Sequence, residues 1–448
     1  MLARTQNPSP GQNDFAFGSA RYAWIVVAIL CGLQITSNVD RQILSLAVEP
    51  LKRDFAISDI EVSLLQGLAF ALFYSIVAVP IGLLADRWRR DRILKISMMI
   101  WIGATLGCMI AQSFSALFIA RLFVGLADAA LVPVSFSILS DYFPRTKLAG
   151  AIGTITGASF LGTGASLTFG GLLLAELPVD QIVNLPIAGS IFGWQMAFGF
   201  ASVPGLLLIL ALFALREPPR RIAEDPSEES NEKTSVADVV RYLVSHKGYL
   251  ISLFGGIILL TAFQYGLTVW TVALFIRKFS WTATEIGFIY GLYFMIIGTV
   301  ASLLGGKLCD FLRSKGHNDA NFLIPLVSIV ILIPAALLFA LSNSGLISVI
   351  MLGVITFFVV LSFGPAMAAI PTFVPSRMRA QLTAFAMLLS TLLGASGGPW
   401  LVAFLTDIVF GDPQALPYSL AICAPLLLIP GALCFFIGGR SARKLASG

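Results

Sequence analysis

Four charged side chains sit where the surrounding sequence is too apolar for water. Asp40 and Arg41 follow an apolar run, and Arg121 and Asp128 lie inside ARLFVGLADAALVP, residues 120–133. A charge at membrane depth costs roughly 2.5–3.5 kcal/mol on insertion scales, and it normally faces a bundle interior or a water-filled path. Arg121 and Asp128 are seven residues apart, which puts them within about 20° on one helix face. Gly125 lies between them on that face and keeps the wall there low. Counting residues from the outer helix ends places Asp40 and Arg121 at a similar depth, about 9 Å in, and Asp128 about 20 Å in. Near a guanidinium the charged carboxylate is favoured, while burial disfavours it. A site whose access to water alternates can therefore take up and release a proton. In this scheme Arg121 pairs with ionised Asp40. Once Asp40 is protonated, Arg121 turns to Asp128 or to an anionic head group. The plainer alternative is a permanent pair that only holds two helices together.

The elements that must position these groups are membrane helices. The chain of 448 residues is 57% hydrophobic and 12% charged, which excludes an ordinary soluble protein of this length. Crossing a bilayer takes about 20 mostly apolar residues. Twelve stretches qualify: 22–46, 60–85, 93–111, 115–140, 146–175, 191–215, 249–276, 285–306, 322–341, 346–372, 381–406 and 417–437. Only helices and closed barrels satisfy the backbone in lipid, so these spans are helices. With both termini cytoplasmic, 23 of the 29 Lys and Arg fall in inner segments and only Lys52, Arg53, Arg277 and Lys278 fall in outer loops. The positive-inside rule then sets the orientation, in an inner (plasma) membrane.

The chain divides into a tail (1–20), a six-helix bundle (21–216), a linker (217–247), a second six-helix bundle (248–440) and a second tail (441–448). The linker is Pro-, Glu- and Ser-rich at first, and SVADVVRYLVSHK then gathers valines and leucines on one helical face. That pattern fits a surface helix at the membrane interface. The halves repeat. Gly82-Leu-Leu-Ala-Asp86 returns as Gly306-Lys-Leu-Cys-Asp310, 224 residues on, and Pro144 returns as Pro375, 231 residues on. A duplicated six-helix unit marks a secondary transporter that rocks around a central site.

GLLADRWRRDR (82–92) joins spans 2 and 3 on the inner side. Gly82 allows close packing there, Asp86 can accept from helix N-terminal amides, and Arg87 and Arg90 can pair with Asp141. With Asp310 as the repeat of Asp86, these residues form an expected cytoplasmic gate; simple charge anchoring is the alternative. Span 5, GTITGASFLGTGASLTFGG, reads as close packing through small residues. The GxSxG match at 394–398 lacks the strand-to-helix setting of a nucleophile elbow, and no histidine lies at membrane depth. There is no phosphate-binding GxxxxGK[ST] loop. Two histidines and five scattered cysteines argue against a metal site. No enzymatic activity, cofactor or nucleic-acid partner is expected.

The motifs resemble the major facilitator superfamily across all twelve spans, through the 82–92 loop and the RxxxG of Arg121 to Gly125. NVDR (38–41), ARLFVGLADA (120–129), SDYFP (140–144), REPPR (216–220), RMRA (377–380) and GGP (397–399) resemble, within it, the bacterial Spinster-like transporters. The chain departs from that pattern at Arg89, where the superfamily has Gly, and at Asp128, where the family has Glu. The resemblance implies lysolipid or sphingolipid-type substrates and proton-switch roles for Asp40, Arg121 and Asp128.

Spans 7, 8, 10 and 11 carry no central charge. Their polar content is Gln264, Tyr265, Tyr290, Tyr293 and some Ser and Thr. Such a cavity suits an amphiphile with its head near Arg41 and Arg121 and its chain against Phe-rich walls. The expected protein is an all-α, twelve-span, monomeric, proton-coupled transporter of lipid-like amphiphiles, surrounded by membrane lipids. The alternatives are an organic-anion or drug transporter of the same kind and a lipid-binding receptor without turnover.

Overall fold

The computed structural model describes residues 19–186, 189–218, 241, 245, 247–374 and 376–447. The tail before residue 19, most of the expected linker helix (235–240, 242–244 and 246 of 235–247), and the side chains of Asp86 and Arg87 lie outside the described residues. Twelve helices are long and apolar enough to cross a membrane. Spans 1–6 are Ala20–Leu46, Asp59–Ala78, Arg90–Ile110, Phe114–Tyr142, Gly150–Glu176 and Gly193–Phe213. Spans 7–12 are Gly248–Phe279, Ala283–Ser314, Ala320–Leu341, Gly345–Ile370, Gln381–Phe410 and Pro413–Arg443. Ser19 caps span 1 by accepting from Tyr22 N, and Thr282 and Glu285 close a capping box at the start of span 8. Leu207, Leu210, Phe213, Val330 and Leu346 are exposed, as lipid-facing positions must be.

Six spans precede residue 219 and six follow residue 240, and the packing pattern of the first six recurs in the second. Span 1 packs on 5 and 6, span 4 on 2 and 3, and span 3 on 6; correspondingly span 7 packs on 11 and 12, span 10 on 8 and 9, and span 9 on 12. The two six-helix bundles are therefore pseudo-symmetric. They meet chiefly along spans 5 and 8 and along spans 2 and 11. An even number of crossings puts both ends of the chain on one side. That side is called the tail end here, and the other the distal end.

Two local features depart from plain helices. Ile182–Leu185 and Gly189–Phe192 pair as an antiparallel hairpin at the distal end, where the sequence reading places no strand. Phe192 and Trp194 pack edge-on against Phe55, and Trp194 Nε1 donates to Asp54 at 3.0 Å. Each strand has only four residues, too short for alternation to declare itself beside apolar helices. Span 4 breaks after Asp128 and resumes at Leu131. Pro133 lacks the N–H that would bond the carbonyl of residue 129, so the ladder fails there.

Candidate functional site

Spans 1 and 4 run antiparallel, and their charged residues meet in two separate pairs. Arg121 Nη1 donates to Asp40 Oδ2 at 2.7 Å, with both side chains fully buried, at 1% and 0% exposure. Asp128 Oδ2 accepts from Arg41 Nη2 at 2.9 Å and from Ser37 Oγ at 2.7 Å. Neighbouring helix positions point about 100° apart. Asp40 can therefore turn into the bundle while Arg41 turns along the wall of the gap between the bundles.

Asp128, the expected alternative partner of Arg121, is held in this structure by Arg41 and Ser37. Arg121 and Asp128 do share a face, since both reach span 1. Seven residues also separate them by about 10 Å along the axis, so each finds a different residue of span 1. Gly125 does not lower an open wall either. A Cβ there would lie 2.1 Å from the carbonyl oxygen of Phe70, so the glycine lets spans 2 and 4 approach closely. One carboxylate oxygen of each acid, Asp40 Oδ1 and Asp128 Oδ1, is buried without a partner among the described residues. Arg121 Nε is in the same condition. A proton on either free oxygen would displace no existing hydrogen bond.

Between the bundles lies a cavity of about 380 Å³. Arg41 is the one charged residue among those lining it, with its side chain 26% exposed and its guanidinium 3.9 Å over the Phe70 ring. Gln264 and Tyr265 line the opposite wall, with Phe294, Val360, Phe363 and Met367. Arg121 does not line the cavity, so of the two expected cationic residues only Arg41 does. Tyr290 is buried inside the second bundle, 3.2 Å from Thr268 Oγ1, and Tyr293 packs against span 10 at Gly353. Neither lines the cavity. Their sequence positions carry no sign of which way the helix turns, and a π-helical turn at Tyr293–Gly298 shifts the face.

The distal end is closed by contacts the sequence reading missed. Arg277 of span 7 donates to Asp59 Oδ2 at 2.7 Å and to Glu49 at 2.8 Å, and Asp59 also pairs with Lys52. Asp407 of span 11 accepts from Ile60 N at 2.7 Å. Beside this clasp, spans 5 and 8 touch through glycines. A Cβ on Gly164 would lie 2.4 Å from Gly291 O, and one on Gly291 would lie 2.1 Å from Thr168 Oγ1. Nearer the tail end, Gly150, Gly153 and Gly157 of the same helix face open space among the described residues. Close packing thus describes only the distal part of span 5. Gly398 of the GxSxG match is likewise a packing residue, its notional Cβ 1.9 Å from Ala262 O.

At the tail end Arg90 is buried and pairs with Asp141 at 2.5 Å and Glu217 at 2.8 Å. Asp141 belongs to the first bundle, as Arg90 does, and Glu217 is the linker residue that follows it, so neither pair reaches the second bundle. Gly82 has open space around it among the described residues, so close packing does not explain it. Asp310 is exposed and has no ion pair among the described residues.

This is the architecture of a solute carrier, with two pseudo-symmetric bundles, a central cavity and one sealed end. The Major Facilitator Superfamily model matches residues 30–399, and the chain belongs to that superfamily, whose members it resembles are transporters and not enzymes. It is 25% identical to an "MFS-type efflux pump" of Mycolicibacterium smegmatis, over 95% of this chain and 94% of that one. It is 26% identical to "Protein spinster homolog 3" of Danio rerio, over 94% of this chain and 85% of that one. A crystal structure of a bacterial homolog of the human lysosomal transporter Spinster, described as inward-facing and unoccupied, superposes with a TM-score of 0.83 at 22% identity, covering 96% and 99% of the two chains. The protein is an integral, multi-pass membrane transporter.

Proposed function

We propose that this transporter is proton-coupled and moves lipid-like amphiphiles with an anionic head by alternating access, with its tail end cytoplasmic. The observation that carries the reading is Arg41. It is the one charged residue lining the cavity, paired with Asp128 and facing a wall of uncharged polar and apolar side chains across the gap. Arg41 and Asp128 together are neutral, so an anion gains little by approaching them. A proton on Asp128 removes that competition and leaves Arg41 to the head group. Substrate and proton would then load together. Opening the other end exposes the pair to water of different pH and reverses the exchange. Asp40 and Arg121, one step deeper in the bundle, would couple the same protonation to the packing of span 1 on span 4.

The test is flux into proteoliposomes under an imposed pH gradient, with a fluorescent lysolipid as substrate and short organic acids as competitors. Gradient-dependent uptake that lysolipids compete away is the expected result. Competition by short organic acids alone would replace the lipid reading with organic-anion transport. Binding without uptake would leave a receptor.

A further inference from the structure

Beside Arg41 the cavity holds two amides that neither ion pair uses. Gln42 and Gln66 both line it. Ser45 donates its hydroxyl to Gln66 Oε1 at 2.7 Å. That contact fixes the amide, because with the oxygen held on the serine the nitrogen must point elsewhere. Gln66 Nε2 is buried without a partner among the described residues, and so is Gln42 Oε1. One is a donor and the other an acceptor. Buried polar atoms in native proteins are nearly always paired, so exceptions lining a cavity point to something that enters it.

The placement is compact. On an ideal helix Arg41, Gln42 and Ser45 fall within an arc of about 100°. Gln66 is four residues from Phe70, the ring under the Arg41 guanidinium. A cation, an unpaired acceptor and an unpaired donor thus share one stretch of wall. A hydroxyl on a ligand, like a water molecule, accepts from an N–H and donates to a carbonyl through one oxygen. We propose that Gln42 and Gln66 form a hydroxyl-reading subsite next to Arg41, selecting anionic amphiphiles that carry a free hydroxyl beside the charged head. An amphiphile without that hydroxyl would leave both amide atoms unpaired, which is how a polar site rejects an analogue.

This subsite rests on the reading of the cavity as a site for anionic amphiphiles, and the test separates the two. The full-length protein in detergent is titrated calorimetrically with a 1-acyl lysophosphatidate and with its 2-deoxy analogue of equal chain length. The hydroxylated probe is expected to bind about ten-fold tighter, as two neutral hydrogen bonds imply. Gln66→Leu should make the two affinities equal by weakening only the hydroxylated probe, and Gln42→Leu should do the same should the first variant fail to fold. Equal affinities in the unmodified protein would overturn the subsite and leave the amphiphile reading standing. Equal weakening of both probes in the variants would make the glutamines structural and also overturn it. Failure of both probes to bind would remove both proposals.

Discussion

Asp40 is fully buried, and among the described residues the cation paired with it is Arg121. Removing one partner of a buried pair costs about 3–5 kcal/mol, because the other charge stays behind. Arg121→Ala should therefore lower the unfolding temperature in detergent markedly. Arg41→Ala should lower it less, since Asp128 keeps the hydrogen bond from Ser37. Equal losses would mean that the second pair is as structural as the first. Arg121→Ala strands one carboxylate, that of Asp40, because Asp128 pairs with Arg41. Asp40→Asn holds the neutral form at every pH. If Asp40 is part of the switch, the pH dependence of distal opening, followed by paired spin labels, should lose amplitude in that variant. An unaltered midpoint and amplitude would make the Asp40–Arg121 pair a permanent brace. The pairing of Asp40 with Arg121 could be read from depth along two helices, which is a property of each helix alone. The partner of Asp128 could not. It depends on how spans 1 and 4 are set against each other and on the length of the Arg41 side chain, and neither leaves a trace in spacing.

Among the elements, the distal contact of spans 5 and 8 depends on the absence of side chains. Gly291→Leu would place atoms where Thr168 and the Gly164 carbonyl already are, so the distal ends should no longer meet. Arg277→Ala acts differently, removing the bridge to Asp59 and Glu49 while leaving the helices free to touch. The first variant should give a longer mean distance between labels at the distal ends of the two bundles. The second should give a broader distribution around the present one. Identical distributions in both would show that the clasp and the glycine contact are not separable. The glycines of span 5 announce close packing in the sequence but not the helix they pack on. The clasp was illegible for a plainer reason. Glu49, Asp59 and Arg277 read as ordinary loop charges until the fold brings together residues 218 and 228 positions apart.

For the molecule as a whole, the twelve spans were legible because length and apolarity are enough to define them, and the duplication because turn landmarks recur at a fixed offset. What the landmarks could not give is which end is sealed. The contacts described between the bundles at the distal end, and the open glycines toward the tail end of span 5, define a cavity reached from the tail end. The repeated pairing of spans also explains why rocking is available: each bundle keeps its own contacts and exchanges only the seam.

The two ion pairs carry a consequence for electrical behaviour. Asp40 with Arg121 and Asp128 with Arg41 sum to zero charge within the membrane zone. A singly charged anion entering with one proton leaves that sum at zero. A carrier crossing between its states with no net charge feels nothing of the transmembrane voltage, which otherwise contributes about 2.3 kcal/mol per elementary charge per 100 mV. Uptake driven by a pH difference should then be unaffected when voltage is set independently with potassium and valinomycin, and it should pass no current across a planar bilayer. A current that grows in step with uptake would show a second proton on board, with Asp40 as well as Asp128 taking one in each cycle.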